Sequence, residues 1–384
     1  MTGTARADAQ ETESGRAAPW VTVLAGGVGS RFWPASTPAR PKQLLPLASD
    51  RPLIVDTLER AHALTPSDRV RVLAGAHLVE PFRSAVPSLG EAHFLVEPAQ
   101  RGTGPVLAWA AWRLLQADSE AVLVSLHADH RITPVDAFAE TVRAALRGAR
   151  EEGWLFTVAV PPTRPETGYG YIRPGAPLEG EDGAPACFRV GAFHEKPDPE
   201  TAARFVDDGY LWNTGIFVWR ADTFLDEVRA HAHEIAPHLH LLEAGDEAGF
   251  FAEVEPVAVD VAVLERSDRV AAVRATFGWD DVGSWEALAR TRPADPQGNV
   301  GVGAVHAHDA ARNIVYADQG DVVLFGVDDL VVVRAGGVTL VTDRRHAPDL
   351  KGLVERLPEH LRSGGAAAGS ARGPAGHPTS AEDP

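Results

Sequence analysis

Short apolar runs at Val21–Leu24, Val70–Leu73, Phe94–Val96 and Val122–Leu126 alternate with amphipathic stretches near Leu53–Leu64, His77–Ala85 and Pro105–Gln116. Runs of three to five mainly apolar residues suit strands buried on both faces. The intervening stretches are long enough for crossover helices, so the rhythm predicts βαβ units and a mostly parallel sheet, an α/β fold. A further helix is expected from about Pro134 to Gly148 and a further strand at Trp154–Val160. In such sheets ligands bind beyond the carboxyl ends of the strands. The residues just after each apolar run are therefore the ones to inspect.

After the first run the chain reads Leu24-Ala25-Gly26-Gly27-Val28-Gly29-Ser30-Arg31-Phe32-Trp33-Pro34, with Pro41-Lys42-Gln43 close behind. Glycines at a strand end let backbone amides approach an anion with no side chain in the way. Arg31 adds a planar fork and Lys42 a compact charge, a combination suited to a polyphosphate. Neither common phosphate motif fits. A Walker loop needs a Gly-Lys pair at a spacing absent here, and a dinucleotide fingerprint needs a glycine near position 32, which is Phe32. A plain glycine turn is the alternative reading of the stretch alone.

Composition limits the ligands. The chain has 384 residues, enough for one large or two modest domains, and a formal net charge of -17. That charge repels nucleic acid and anionic membrane surfaces, so an anionic ligand needs a local basic site. Only three lysines, Lys42, Lys196 and Lys351, stand against 33 arginines. A lysine kept in so arginine-rich a chain marks a place where a guanidinium does not fit. The lone cysteine, Cys187, rules out an intrachain disulfide and a cysteine-based zinc site. With no run of 18 apolar residues and no apolar core in the polar N-terminus, a cytoplasmic setting without a membrane partner is expected.

Other strand ends carry chemistry. Asp129 follows a strand directly within His127-Ala128-Asp129-His130, and Asp281 lies in Trp279-Asp280-Asp281-Val282-Gly283, a turn able to fold back beside it. A pair of carboxylates there suits a hard divalent cation at a transferring phosphate; the alternative is that each caps a helix. Glu97 closes a middle strand before Arg101-Gly102-Thr103-Gly104. One carboxylate accepts both N1–H and the N2 amine of guanine, an edge adenine lacks, although Glu-Pro is also ordinary loop sequence.

Glu166–Ile172 alternates glycine with aromatics, as for a backbone lying close to a ligand. Glu195-Lys196-Pro197 sets a hydroxyl acceptor beside a phosphate binder, on opposite faces of an extended segment unless the proline bends it. Asn213 offers an amide that both donates to and accepts from sugar hydroxyls, or else initiates a turn. His231, His233, His238 and His240 lie in a polar, helical-looking segment where a solvated face outweighs a metal site, and His127 and His130 read as supporting Asp129. No signature for covalent catalysis stands out.

The ordered set Leu24–Gln43, Glu97–Pro105, Asp129-His130, Thr167–Ile172, Phe193–Pro197, Trp212–Phe217 and Gly278–Trp285 resembles the bacterial mannose-1-phosphate guanylyltransferases, a family of sugar nucleotidyltransferases, over about Trp20 to Leu361. Order and spacing of seven motifs are more specific than any one. The resemblance implies a Rossmann-like nucleotidyltransferase domain at 19–292 and a β-rich segment with a short helix at 293–362, often used for dimerisation, so a homodimer is expected. Residues 1–18 and 363–384 read as a disordered arm and tail.

The resemblance further implies the reaction of GTP with mannose 1-phosphate to GDP-mannose and pyrophosphate, with Mg²⁺ as cofactor. Arg31, Lys42, Asp129 and Asp281 would be catalytic, and Asp129 and Asp281 would hold the metal. Leu24, Gly26, Gly27, Gly29, Ser30, Glu97, Arg101, Gly102 and Thr103 would bind the nucleotide. Gly170, Glu195, Lys196 and Asn213 would seat the sugar phosphate. The chain departs from the family at Arg101-Gly102-Thr103-Gly104-Pro105, where Arg-Asn-Thr-Ala-Pro is usual, and at Phe32, where leucine is usual. It is also too short for the fused isomerase domain of some relatives. Another sugar 1-phosphate, a catalytically silent nucleotide-sugar sensor and a generic nucleotide-binding module are the competing readings; retention of Arg31, Lys42, Asp129 and Asp281 speaks against the sensor.

Overall fold

The computed structural model describes residues 18–27, 29–180 and 183–362. The expected N-terminal arm, Ala18 aside, and the expected tail lie outside the described residues. The chain divides into two compact units: the first holds residues up to Gly27, Lys42–Gly283 and Arg290–Arg292, and the second holds Val28–Pro41, Ser284–Ala289 and the chain from Pro293.

The first unit begins β1 (Trp20–Leu24), α1 (Leu53–His62), β2 (Val70–Gly75), α2 (Ala76–Ala85), β3 (Phe94–Glu97), α3 (Thr103–Ala117) and β4 (Val122–His127). It continues with β5 (Arg131–Thr133), α4 (Val135–Glu152), β6 (Leu155–Val160), β7 (Gly170–Pro177), β8 (Cys187–Glu195), β9 (Leu211–Arg220), β10 (Val270–Arg274) and β11 (Gly278–Asp280). Nine strands form one sheet in the order β3-β2-β1-β4-β9-β6-β10-β8-β7. The pairings leave only β9 and β8 running against the rest. The fold is thus α/β with a mixed, mostly parallel sheet.

Alternate residues of a strand face opposite sides, and here both sides are covered. Trp20 and Leu24 of β1 join the apolar cluster on one face, Val21 and Val23 the cluster on the other. That two-sided burial is why the strands read as mainly apolar runs and do not alternate. α4 shows the helical counterpart: Phe138, Val142, Ala145 and Ala149 recur three or four apart and are buried, and Gly153, at φ 68°, ends the helix in the left-handed conformation. β3 proves to be the edge strand of the sheet, so Glu97 closes an edge and not a middle strand.

Two pairings place functional segments. β5 and β11 form a separate ribbon in which Arg131 lies opposite Asp280, carrying the Asp281 turn back to the end of β4. Strand β7 pairs with both β8 and β9, so Gly170 faces Glu195 and Tyr171 faces Trp212, the neighbour of Asn213.

In the second unit β12 (Val300–His308), β13 (Ile314–Phe325) and β14 (Leu330–Ala335) pair in parallel, and β15 (Val338–Asp343) returns antiparallel. Strand β12 carries glycines and exposed polar positions that hid it from a hydropathy reading. The Asp328-Asp329 turn joins parallel strands, unlike a hairpin, because the chain coils: Ile314 stacks on Val300 and Val331 stacks on Ile314. Inside the coil the buried Asn313 donates through Nδ2 to Asn299 Oδ1 at 2.9 Å and to Val327 O at 2.9 Å, while its Oδ1 accepts from Leu330 N at 2.9 Å. A short 3-10 turn, Arg344–Asp349, precedes the terminal helix, which is expected over Leu350–Leu361 and is found as two pieces, Leu350–Arg356 and Glu359–Arg362.

Candidate active site

Beyond β1 the turn at Gly26 and Gly27 is held from behind. Gln100 Nε2 donates to Gly26 O and Gln43 Nε2 to Gly27 O, the latter at 2.8 Å. With both carbonyls pinned by side-chain amides, the Gly26 and Gly27 amide N–H groups have no acceptor among the described residues. Such a pair of outward donors is what a phosphate needs. Glu97 stands over the same turn: a β-carbon on Gly26 would lie 3.6 Å from Glu97 Oε1. The carboxylate is buried, at 8% exposure, and makes no hydrogen bond or ion pair within the described residues. Burial alone pushes its pKa up to about 7.

The neighbouring loop turns its groups elsewhere. Arg101 donates through Nε to Phe251 O at 2.7 Å, Thr103 Oγ1 accepts from Val259 N at 3.0 Å, and Gly104 N donates to Val257 O at 3.0 Å. Gly102 has φ 82°, and a β-carbon there would fall 2.6 Å from Val257 O. This close approach accounts for glycine at the position where the resembling family carries asparagine.

Lys42 joins the two acidic motifs. Its Nζ lies 2.8 Å from Asp129 Oδ2 and donates to Val282 O at 3.3 Å, one residue past Asp281. Burial pushes the Asp129 carboxyl up, but Lys42, His130 and His127 together outweigh it and hold the pKa at about 2. At Asp281 burial prevails, and the pKa is raised despite the Tyr169 hydrogen bond and Lys42. Each carboxylate answers to the same ammonium, and Asp129 contributes to the rise at Asp281. Asp129 does not cap α4, whose first turn has no side-chain cap. Asp281 Oδ1 accepts from Gly283 N at 3.2 Å and from the Tyr169 hydroxyl at 2.5 Å. Val282 is held at φ 45°, a strained value for a β-branched residue, where the turn presents Asp281.

His127, Asp129 and His130 offer three possible ligand atoms within 4.8 Å of one another. Trp279 Nε1 donates to His130 Nδ1 at 3.1 Å, which puts the proton of a neutral imidazole on Nε2, the nitrogen 4.0 Å from Asp129 Oδ1. At 4.0 Å His130 makes no hydrogen bond to Asp129 in this arrangement. Burial lowers the pKa of both histidines, so they are neutral near pH 7.

In the Glu195-Lys196-Pro197 segment Lys196 takes φ 48°, which folds its ammonium back onto Glu195 in an ion pair; the opposite-face problem of an extended segment is removed. A β-carbon on Gly170 would lie 2.8 Å from Glu195 Oε2, which explains a glycine opposite that carboxylate. The Asn213 amide is largely engaged: Oδ1 accepts from Thr157 Oγ1 at 2.6 Å and Gly215 N at 3.2 Å, and Nδ2 donates to Asp260 Oδ1 at 2.7 Å. Asn213 lies within β9 and starts no turn; its Oδ1 is fully engaged and its Nδ2 keeps one N–H beyond the bond to Asp260.

Gly29, Ser30 and Arg31 belong to the second unit. Gly29 adopts φ 75° and leads into a 3-10 turn, Ser30–Phe32, with Arg31 exposed. Phe32 is buried edge-on against Trp285, ring centroids 5.0 Å apart, so the larger residue is packed where the family carries leucine. Among the histidines set aside, His231 ends a helix at Ala221–His231 and His238 lies in a separate 3-10 turn. The seven-residue spacing therefore does not place them on one helix face.

Four contributors escaped the sequence reading: Gln43 and Gln100 behind the glycine turn, Tyr169 on Asp281, and Asp260 on Asn213. Asp260 had a signal. It interrupts the apolar Val257-Ala258-Val259-Asp260-Val261-Ala262-Val263, where an acid needs a partner. The glutamines and Tyr169 act through contacts made only by the fold.

Residues 21–298 match the family model for nucleotidyl transferases, and residues 303–357 match that of a MannoseP isomerase/GMP-like beta-helix domain. A mannose-1-phosphate guanylyltransferase of Salmonella montevideo is 35% identical over 87% of this chain and 73% of its own length. One of Escherichia coli strain K12 is 37% identical over 87% and 72%. A crystal structure from Thermus thermophilus, described as a mannose-1-phosphate geranyltransferase, superposes with a TM-score of 0.81 at 34% identity, covering 88% of this chain and 98% of that one. The chain belongs to the nucleotidyl transferase family, and within it to the mannose-1-phosphate guanylyltransferases. No helix among the described residues is long and apolar enough to cross a membrane.

Proposed function

We propose that this protein transfers GMP from GTP to mannose 1-phosphate, giving GDP-mannose and pyrophosphate. The observation that carries the reading is Lys42 bound at once to Asp129 and to the Asp281 turn, with the Gly26–Glu97 wall and the Glu195–Asn213 wall built from the same sheet. Glu97, desolvated and unpaired in the protein, accepts the guanine N1–H and amine. The Gly26 and Gly27 amides hold the triphosphate, and Leu24 lines the base side. Arg101, Gly102 and Thr103 support that wall, Arg101 and Thr103 through their side chains.

Gly170, Glu195, Lys196 and Asn213 seat the sugar phosphate. Its ionised oxygen attacks the α-phosphorus in line; the new P–O bond forms as the bond to the bridging oxygen breaks and pyrophosphate leaves. The nucleophile is already an anion, so no strong base is required, and positioning with charge neutralisation is the source of rate. Lys42 shifts from Asp129 to the α-phosphate as substrate enters.

Two carboxylates sharing one cation are a donor set that fits a divalent metal, and we assign Asp129 and Asp281 to Mg²⁺. When bound, it supplies charge neutralisation between attacking oxygen, α-phosphate and leaving group. We place the protein in the cytoplasm. We also place a homodimer contact on the second unit, where Val323, Phe325 and Val341 are 66%, 74% and 59% exposed.

The test follows pyrophosphate release with Mg²⁺, each of the four nucleoside triphosphates and a panel of sugar 1-phosphates. GTP with mannose 1-phosphate is expected to be fastest. The absence of release with every sugar 1-phosphate contradicts the enzyme reading, and a faster rate with glucose 1-phosphate contradicts the choice of mannose.

A further inference from the structure

Residues 257–265 touch both walls of the site. At one end Val257 and Val259 dock the loop 101–104: Val257 N donates to Arg101 O at 3.1 Å, and Val259 N to Thr103 Oγ1 at 3.0 Å. One residue on, Asp260 Oδ1 accepts from Asn213 Nδ2 at 2.7 Å. Just beyond the π-helical turn Asp260–Leu264, Glu265 Oε1 accepts from the backbone N–H of Glu195 at 2.8 Å. One short element therefore holds two of the residues assigned to the sugar phosphate, which lie about 50 and 70 positions earlier in the chain. Arg266 anchors its far side through a forked pair with Glu234, at 2.6 and 2.9 Å.

We propose that Asp260 and Glu265 are positioning residues for the acceptor phosphosugar: Asp260 fixes the Asn213 amide, and Glu265 fixes the end of β8 that carries Glu195 and Lys196. The inference rests on the proposed function and adds to it how the acceptor side is set. An asparagine amide has two donors and two acceptor lone pairs. Thr157 and Gly215 take both lone pairs and Asp260 takes one donor, so Asn213 presents a single N–H to a ligand hydroxyl.

In its ionised form Asp260 only accepts, so it takes an Asn213 Nδ2–H and reinforces the amide orientation that Gly215 N and Thr157 Oγ1 set at Oδ1. Keeping the acid there has a cost, since burial and the nearby Glu195 carboxylate push its pKa up to about 7.

The experiment compares wild type, Asp260→Ala, Asn213→Ala and the double variant, each checked by thermal denaturation, using GTP and the sugar 1-phosphate turned over fastest by wild type. Asp260→Ala is expected to raise the KM for the sugar phosphate about tenfold and to leave the GTP KM within about twofold. The double variant is expected to be no worse than Asn213→Ala, because both act through one amide. Asp260→Asn, the isosteric variant retained if the alanine fails to fold, should show about a threefold rise, and Glu265→Ala a similar one. An unchanged sugar-phosphate KM, an equal rise in both KM values, or multiplying effects in the double variant overturns the inference alone. Wild type inactive with every sugar 1-phosphate overturns the proposed function, and this inference with it.

Discussion

The two walls of the site handle buried carboxylates in opposite ways. On the nucleotide wall Glu97 is desolvated and bonded to nothing among the described residues, while on the sugar wall Glu195, Asp260, Lys196 and Asn213 are tied to one another and to the sheet. An unpaired buried carboxylate destabilises the fold and gains most when a ligand supplies two donors. A cross-linked wall forgoes that gain but holds its geometry before substrate arrives. Under the proposed function, affinity for the base would be stored in a penalty and placement of the acceptor in a network.

The comparison breaks first at the groups shared by both walls. Asp281→Asn keeps the size of the side chain and its hydrogen bond from Tyr169, yet removes a charge beside Lys42 and the transferring phosphate. Its kcat is expected to fall about 10²- to 10³-fold with the thermal midpoint little changed. A rate near wild type removes Asp281 from the metal site.

Glu97→Gln tests the stored penalty. The GTP KM should rise about 10- to 100-fold, the range of a lost charge-assisted pair, while the KM for the sugar phosphate stays put. The folded protein holds the Glu97 proton up to about pH 7, whereas the unfolded chain releases it lower, so stability falls as pH rises through that window. Above it the ionised form costs on the order of 3 kcal/mol. Glu97→Gln should therefore be more stable than wild type at pH 8, as urea unfolding would read, and the two should converge near pH 5. Wild type should also bind GTP more tightly at pH 8 than at pH 6. A destabilised variant, or GTP affinity indifferent to pH, contradicts the role.

The smallest effect is expected at Gly102→Ala. Its β-carbon would meet Val257 O at 2.6 Å on a backbone at φ 82°, a strain of about 1–3 kcal/mol. A lowered thermal midpoint with a severalfold rise in the GTP KM would place the Val257 contact in the nucleotide wall. An unchanged protein would show that the loop yields freely.

Much of this was legible in the sequence because strand ends are legible. The apolar runs gave β1, β2, β3 and β4 nearly to the residue, and the polar groups after them were the glycine turn, Glu97 and Asp129. The ribbon that returns Asp281 to Asp129 was not, since its three-residue strands carry too little pattern. Contacts such as Gln100 to Gly26 or Asp260 to Asn213 join positions about 70 and 50 residues apart, and no local periodicity encodes them. The bend at Lys196 was open in the sequence for the same reason: its positive φ depends on surroundings that local sequence does not reveal. The coil of the second unit was read as strands but not as parallel ones, because stacking of Ile314 on Val300 and of Val331 on Ile314 is tertiary information.

The account rests on an in-line exchange of one nucleotidyl group between pyrophosphate and a sugar phosphate, and such an exchange must run in both directions. Incubating the protein with GDP-mannose, pyrophosphate and Mg²⁺ should yield GTP and mannose 1-phosphate in equal amounts. Release of GMP, or GDP-mannose left intact while wild type remains folded, would contradict it.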